Sequence, residues 1–338
     1  MDHGDDTINN LLVPKPNTPP KKLHLTHKSL TPKFGCISYT VTQPTRFGNL
    51  KNKHNDKNKK IPCYQVGDLE QVSDILICMS QEHPPLPGTN HPGQHVPVLL
   101  EASLDLLKPI RGEKYLDLTA GYGGHASRFL DKTENYSDAV LVDRDENAIA
   151  SLERFKQKGV RLLNTDFADA AKALVEDGEQ FDIVLVDLGV SSPQLDRAER
   201  GFSFTKSGPL DMRMDRRSDY SAEKLVNTAT EDELVRIITK YGEEPHGVAR
   251  RIAKAIIDGR PLASTEELAR LIETQHRGKR KKIHPATRTF QALRIAVNDE
   301  LGQVERLLPL LPELLSSGGR VGIISFHSLE DRLVKQYF

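Results

Sequence analysis

Four aspartates, Asp117, Asp143, Asp166 and Asp187, stand at or just past the ends of successive β-rich runs of this chain. The first directly precedes a glycine-rich turn, Asp117-Leu118-Thr119-Ala120-Gly121-Tyr122-Gly123-Gly124-His125-Ala126. Glycines let the backbone turn tightly and let a ligand come close, and the helix that follows offers free N–H groups to an anion. That anion could be a pyrophosphate or an amino-acid carboxylate. The turn alone fits both, because Gly121, Gly123 and Ala126 satisfy G-x-G-x-x-G/A and Asp143 follows about 20 residues on, as a ribose-binding acid does. The aspartates separate the two readings. A carboxylate at Asp117 opposes a pyrophosphate but suits an ammonium group. Asp143 can hold two ribose hydroxyls. Asp166-Phe167 can accept from an adenine amine and stack on its ring, and Asp187 lies beside the reactive end of such a ligand. The set points to S-adenosylmethionine. Any one of these residues could instead be a helix cap or a solvated loop residue; four in succession are harder to explain that way.

The loop after the fourth run, Asp187-Leu188-Gly189-Val190-Ser191-Ser192-Pro193-Gln194-Leu195-Asp196, is a loose variant of the Asx/Ser-Pro-Pro-aromatic loop of amino-methyltransferases. Acceptors on an exocyclic NH2 localise a lone pair otherwise conjugated into the ring and aim it at a methyl carbon. Asp187, Ser191 and Ser192 are the candidates. Methylation of a pyrimidine C5 generally needs a covalent cysteine. The three cysteines, Cys36, Cys63 and Cys78, all precede residue 92, which leaves an amine or a hydroxyl as acceptor. No cysteine pair has metal-site spacing, and no metal is expected.

The elements that must position these groups alternate. The β-rich runs are Tyr115–Thr119, Ala139–Asp143, Val160–Asn164, Ile183–Asp187 and Arg320–Phe326, and the helical runs are Val98–Leu107, His125–Leu130, Glu146–Lys156 and Ala168–Val175. Such alternation predicts an α/β fold with a parallel sheet and helices on both faces. Between the fourth and fifth runs, residues 205–285 hold no convincing strand. Thr230-Glu231-Asp232-Glu233 and Ser264-Thr265-Glu266-Glu267 read as capping boxes opening amphipathic helices, and Gly259 reads as a C-cap between them. This predicts an inserted all-helical domain, followed by one long helical run over Ala286–Leu308.

Residues 1–92 differ. Their proline clusters and the polar basic run Lys51–Lys60 predict a mostly disordered extension, with the apolar patch Val72 to Met79 long enough for one turn or strand. Domain boundaries follow: 1–92 an extension, 93–204 and 286–338 a sheet domain, 205–285 the helical insert. The net charge of the 338 residues is +0, so any nucleic acid must meet a local basic patch. No secretory signal and no membrane-length apolar run is present, which predicts a cytoplasmic protein with no membrane contact. Monomer and homodimer stay open.

Beyond the turn, longer motifs carry a resemblance. They are Asp187–Asp196, Glu199-Arg200-Gly201-Phe202-Ser203-Phe204, Gly208-Pro209-Leu210-Asp211-Met212-Arg213-Met214-Asp215, Tyr241-Gly242-Glu243-Glu244, His284–Ile295 and Ile324-Ser325-Phe326-His327-Ser328-Leu329-Glu330-Asp331-Arg332. Over residues 93–338 the chain resembles the bacterial 16S ribosomal RNA cytosine-N4 methyltransferase family (RsmH/MraW). The resemblance implies a class I, Rossmann-like methyltransferase sheet with an inserted helical substrate domain. It also implies N4-methylation of a cytidine in the decoding region of small-subunit rRNA, with 16S rRNA or the small ribosomal subunit as partner. Carried over by position, the S-adenosylmethionine contacts are Gly123, Gly124, His125, Asp143, Phe167, Asp187 and Gln194; Asp117 and Asp166 are added by the strand-end reasoning. Family members lack so long an N-terminal arm and continue past the equivalent of Phe338. The expectation is a sheet truncated by two strands, with an open edge.

For the RNA, the basic run Arg277, Lys279, Arg280, Lys281, Lys282 and the nearby Arg288, Arg294, Arg250, Arg251 and Lys254 could meet phosphates. Asp211 and Arg213 could order the site. Phe202, Phe204 or Phe290 could stack on an unstacked base, although core packing is the better account of Phe290. His327 and Ser328 could line the pocket. Two competing readings are a non-catalytic RNA-binding assembly factor and an NAD-dependent oxidoreductase. The second requires a hydride-handling constellation that the sequence does not offer.

Overall fold

The computed structural model describes residues 63–66, 74–79, 97–276 and 284–338. Its strands are β1 (Cys63–Val66), β2 (Asp74–Met79), β3 (Tyr115–Asp117), β4 (Val140–Val142), β5 (Arg161–Leu163), β6 (Phe181–Asp187) and β7 (Leu315–Ser325). They form one seven-stranded sheet in the order β1-β2-β7-β6-β3-β4-β5. All neighbouring pairs are parallel except β1 with β2.

The five strands β3 to β7 fall on the five β-rich runs of the sequence, and the parallel pairing explains their composition. Successive side chains of a strand point to opposite faces, and here both faces are covered. Leu116, Val140, Val184, Val186, Val321 and Ile323 enter one core with the Phe167–Glu176 and Glu300–Leu307 helices. Tyr115, Leu141, Ile183, Leu185 and Ile324 enter the other, with the Leu100–Leu107, Gly124–Thr133 and Glu146–Lys156 helices. From β3 the chain winds outward through β4 and β5, then returns to β6 on the other side of β3. The strand order therefore reverses between β3 and β6, and ligands of such sheets lie beyond the carboxyl ends of the strands at that point.

The helical insert has its own core. The Ala222–Thr228, Glu231–Gly242, His246–Asp258 and Thr265–Gln275 helices bury Leu225, Leu234, Ile238, Ile252, Ile256, Leu268 and Ile272 together. Ser264 closes a reciprocal capping box with Glu267, and Thr230 accepts from the Glu233 N–H. The cluster also takes Phe202 before residue 205 and Phe290, Ala292 and Leu293 after residue 285. The apolar boundary of the insert is thus wider than the drop in β-propensity suggests.

Two expectations are corrected. The long helical run is two helices, Thr287–Asn298 and Glu300–Leu307, broken at Asp299 in the left-handed region (φ 48°). The Asp299 N–H closes the first helix on the Ile295 carbonyl, and its own carbonyl accepts from the Gln303 N–H in the second. The sheet edge expected to lie open at β7 pairs with β2 in register from Asp74↔Arg320 to Met79↔Ser325. Residues 63–66 and 74–79 of the N-terminal extension are therefore strand, because an uncovered β7 edge presents backbone groups that a parallel partner satisfies.

Candidate cofactor and acceptor site

The turn after β3 is stitched to the strands beside it. Leu118 N–H donates to the Leu185 carbonyl and Ala120 N–H to the Val142 carbonyl. Thr119 Oγ1 accepts from the Asp187 N–H, tying the end of β6 to the turn. The glycines have separate causes. Gly121 adopts φ +52° with nothing closer than 4.0 Å to a built side chain, and its N–H donates to Asp143 Oδ2 at 2.8 Å. Gly123 is constrained by packing: a side chain there would meet Phe155 at 2.5 Å and Leu152 at 2.9 Å, and one at Gly124 would meet Pro97 at 2.5 Å. Gly123 and Gly124 therefore let the helix start close to its neighbours, and Gly121 is the glycine that borders open space.

Three of the strand-end aspartates converge on this turn. Asp117, 1% exposed, accepts from the Tyr115 hydroxyl at 2.9 Å and the Thr119 N–H at 3.1 Å. Burial outweighs these bonds and pushes its carboxyl up to about 7. Asp143 accepts from the Gly121 and Asp145 N–H groups, yet burial raises it to about 6. Asp187 is raised well above the carboxylate range by burial, then by the charges of Asp117 and Glu330. Its Oδ2 lies 3.5 Å from His125 Nδ1, and its Oδ1 has no hydrogen-bond partner among the described residues. His125 is buried and shifted down to about 4 by desolvation, with Nε2 at 3.1 Å from the Val98 carbonyl. A neutral imidazole that donates Nε2–H to Val98 presents the Nδ1 lone pair to Asp187. Among the described residues, no lysine or arginine pairs with Asp117, Asp143 or Asp187.

Two expected cofactor contacts have other engagements. Asp166 Oδ1 is ion-paired with Arg144 Nε at 2.7 Å, because Arg144 reaches across from the end of β4. Gln194 is 6% exposed and both ends of its amide are held: Nε2 donates to Asp145 Oδ2 at 3.0 Å and Oε1 accepts from the Ser191 N–H at 3.0 Å. It shapes the acceptor loop from inside. Phe167 is half-buried at the first turn of its helix, against the core below.

A buried arginine missed at the sequence level organises the junction. Arg200, 2% exposed, donates Nη1 to Asp145 Oδ2 at 2.7 Å and Nη2 to the carbonyls of Arg213 and Met214 at 3.0 and 3.2 Å. One oxygen of Asp145 thus fixes the acceptor loop through Gln194 and the 209–215 loop through Arg200. Asn298 adds a second tie, accepting from the Met214 N–H and donating to the Met212 carbonyl, both at 2.8 Å. Arg200 stands in a long motif, which was its available signal; Asn298 had none.

Among the described residues, the expected RNA-contacting cations have partners within the chain. Arg213 is held by Asp211 at 2.6 Å and the Ser218 carbonyl at 2.6 Å. Arg250 pairs with Glu231, Lys254 with Asp258, Arg288 with Glu244, and Arg294 with Glu300. Arg251 donates to the Gly247 carbonyl within its own helix. Arg277, Lys279, Arg280, Lys281 and Lys282 lie outside the described residues. Phe202 and Phe290 are core, whereas Phe204 is half-buried between His284 and Phe290 with ring centroids 4.7 and 4.8 Å apart. Arg144, Asp166, Arg213, Asp215 and Asn298 line a cavity of about 190 Å³ between the insert and the strand ends. Among the described residues, no helix is long and apolar enough to cross a membrane.

Residues 93–338 match the family model described as the MraW methylase family. The ribosomal RNA small subunit methyltransferase H of Synechocystis sp. is 48% identical over 254 residues, covering 72% of this chain and 81% of that protein. The protein of the same name from Nitratidesulfovibrio vulgaris is 47% identical over 252 residues, 71% of this chain and 69% of that one. The Rickettsia akari protein is 46% identical over 250 residues, 72% and 79% respectively.

Proposed function

The chain belongs to the MraW methylase family, and we propose that this methyltransferase uses S-adenosylmethionine to methylate N4 of a cytidine in the decoding region of small-subunit ribosomal RNA. The relatives' printed name supports the small-subunit rRNA as substrate class. The observation that carries the cofactor is the trio Asp117, Asp143 and Asp187: carboxylates around the Gly121 turn that desolvation raises, with no lysine or arginine ion-paired to them among the described residues and the charge of Arg144 too weak to offset the rise at Asp143. Burying such charge unmatched is costly, and a ligand with an ammonium and a sulfonium group relieves that cost. A pyrophosphate would increase it, which disfavours a dinucleotide.

In this reading Asp117 holds the ammonium, Asp143 the ribose hydroxyls, and the first N–H groups of the Gly124–Thr133 helix the carboxylate. When bound, the cofactor supplies an electrophilic methyl on a good leaving group, so the protein contributes position and electrostatics. Asp187 Oδ1, without a partner among the described residues, is available to an amine hydrogen. Gln194 and Arg200 hold the Ser191-Ser192 loop in place through Asp145. Residues 205–285 serve as the substrate-recognition domain, with Phe204, Asp211, Arg213 and Arg288 and the run 277–282 as its RNA side. The reaction takes place in the cytoplasm, where the ribosome is.

The test is transfer of labelled methyl groups from S-adenosylmethionine to small ribosomal subunits, followed by nucleoside analysis. N4-methylcytidine is expected. Label in another nucleoside would overturn the acceptor, and RNA binding without transfer would favour an assembly factor.

A further inference from the structure

β7 ends at Ser325, and Phe326 and His327 form the turn into the Ser328–Tyr337 helix. This turn lies against the end of β6. Leu188 N–H donates to the Ile324 carbonyl, and a side chain on Gly189 would come within 3.1 Å of the Phe326 ring. Glu330, 1% exposed, is fixed on two sides: Oε2 accepts from the Phe326 N–H at 2.9 Å, and Oε1 lies 3.2 Å from His327 Nε2. Its charge reaches Asp187. Both ring nitrogens of His327 are buried: Nε2 makes only that close contact with Glu330, and Nδ1 has no hydrogen-bond partner among the described residues.

Glu300 approaches the same group, so Glu300, His327 and Glu330 could be taken for a metal cradle. Their bonds argue otherwise. Arg294 donates to both oxygens of Glu300 at 2.9 Å, and the oxygens of Glu330 face the Phe326 N–H and His327. Arg294 matches the charge of Glu300, and Glu330, bonded to the Phe326 N–H, lies against one imidazole.

An imidazole flanked at one nitrogen by a buried carboxylate, with the other nitrogen unpartnered among the described residues, has a lone pair to offer a donor. Methylation of an aromatic amine is assisted by such an acceptor, because the attacking nitrogen becomes strongly acidic as its lone pair leaves conjugation. We propose that His327 is a catalytic residue of this reaction: its Nδ1 accepts a hydrogen bond from the cytosine N4 amine and then takes the proton. Glu330 is the positioning residue that orients the ring and stabilises the imidazolium. The proposal rests on the amine-methylation reading given above. The nitrogen lone pair forms the bond to the methyl carbon, and the methyl–sulfur pair stays on sulfur. The N–H pair returns to nitrogen as the proton moves to Nδ1. The other imidazole at these strand ends, His125, has both nitrogens engaged, Nδ1 at 3.5 Å from Asp187 Oδ2 and Nε2 at 3.1 Å from the Val98 carbonyl.

Three substitutions test this. In His327→Gln the side-chain amide reaches toward Glu330 but offers no acceptor at the Nδ1 position. His327→Asn does the reverse, and Glu330→Gln removes the charge behind the ring. Each is assayed for transfer to small subunits and, by calorimetry, for affinity for S-adenosylmethionine. His327→Gln is expected to lower kcat by about 100-fold with cofactor affinity within about twofold, the other two by about tenfold. A His327→Gln protein that binds cofactor normally and transfers at the wild-type rate would overturn the proposal. So would loss of cofactor binding in all three variants, which would make the dyad a structural prop. Wild-type protein that makes no N4-methylcytidine would instead overturn the reaction itself.

Discussion

Two groups of aspartates near the strand ends differ in what faces them. Asp117, Asp143 and Asp187 form no ion pair with a lysine or arginine among the described residues; their close contacts are a tyrosine hydroxyl, backbone N–H groups and a neutral histidine, and burial raises all three, outweighing the charge of Arg144 at Asp143. Asp145, Asp166, Asp211 and Asp215 each meet an arginine: Arg200, Arg144, Arg213 and Arg217. Burial acts to raise Asp145 too, but bonds from Arg200 and Gln194 prevail and hold it below the ordinary value. Asp215 is held low chiefly by its hydrogen bond from Arg217. A carboxylate already matched inside the chain builds structure. One left desolvated without an ion pair is, in the function proposed above, a seat for a cationic ligand.

The sharpest way to break this comparison is to unmatch a matched pair. Arg200→Met strands Asp145 and two carbonyl acceptors, so the unfolding free energy should fall by about 3–5 kcal/mol, the usual cost of leaving a buried charge alone. Denaturant titration measures it, and a change near zero would show that the pair is incidental. The converse substitution, Asp143→Ala, removes an unmatched carboxylate. It should weaken S-adenosylmethionine binding by about 100-fold, in line with about 1.5–3 kcal/mol for hydrogen bonds to a charged group, while thermal stability without cofactor holds or rises. Asp166→Asn falls between the groups. Its carboxylate is held by Arg144, so cofactor affinity should change by less than about fivefold, within the range of one neutral hydrogen bond. A loss as large as that of Asp143→Ala would restore Asp166 as an adenine contact.

The sequence disclosed what depends on local pattern. The β-rich runs, the helices between them and the Gly121 turn follow from alternation, periodicity and glycine, each legible within about ten residues. What it withheld depends on contacts far apart in the chain. Arg200 and Asn298 act through partners in other loops, and nothing in their neighbourhoods marks them as buried. The pairing of β2 with β7 joins the two ends of the described chain. Position in a motif named Gln194 as a site residue, but only the fold shows that both ends of its amide face inward. The break at Asp299 is also tertiary, because the preceding Asn298 turns its side chain to the 209–215 loop.

The unmatched trio also makes a statement about protons. Asp117 and Asp143 have folded values of about 7 and 6 against an ordinary 3.8. Their contribution to stability is therefore fully present below about 3.8 and is lost as pH rises through 6 and 7. A cationic ligand favours the ionised forms, so binding must expel protons in that window and weaken as pH falls below it. The most direct measurement is calorimetry of S-adenosylmethionine binding near pH 6.5 in buffers of different ionisation enthalpy. Net proton release, diminished in Asp143→Ala, is the predicted result. Binding with no proton release, or with proton uptake, would contradict the assignment of these carboxylates to the cofactor.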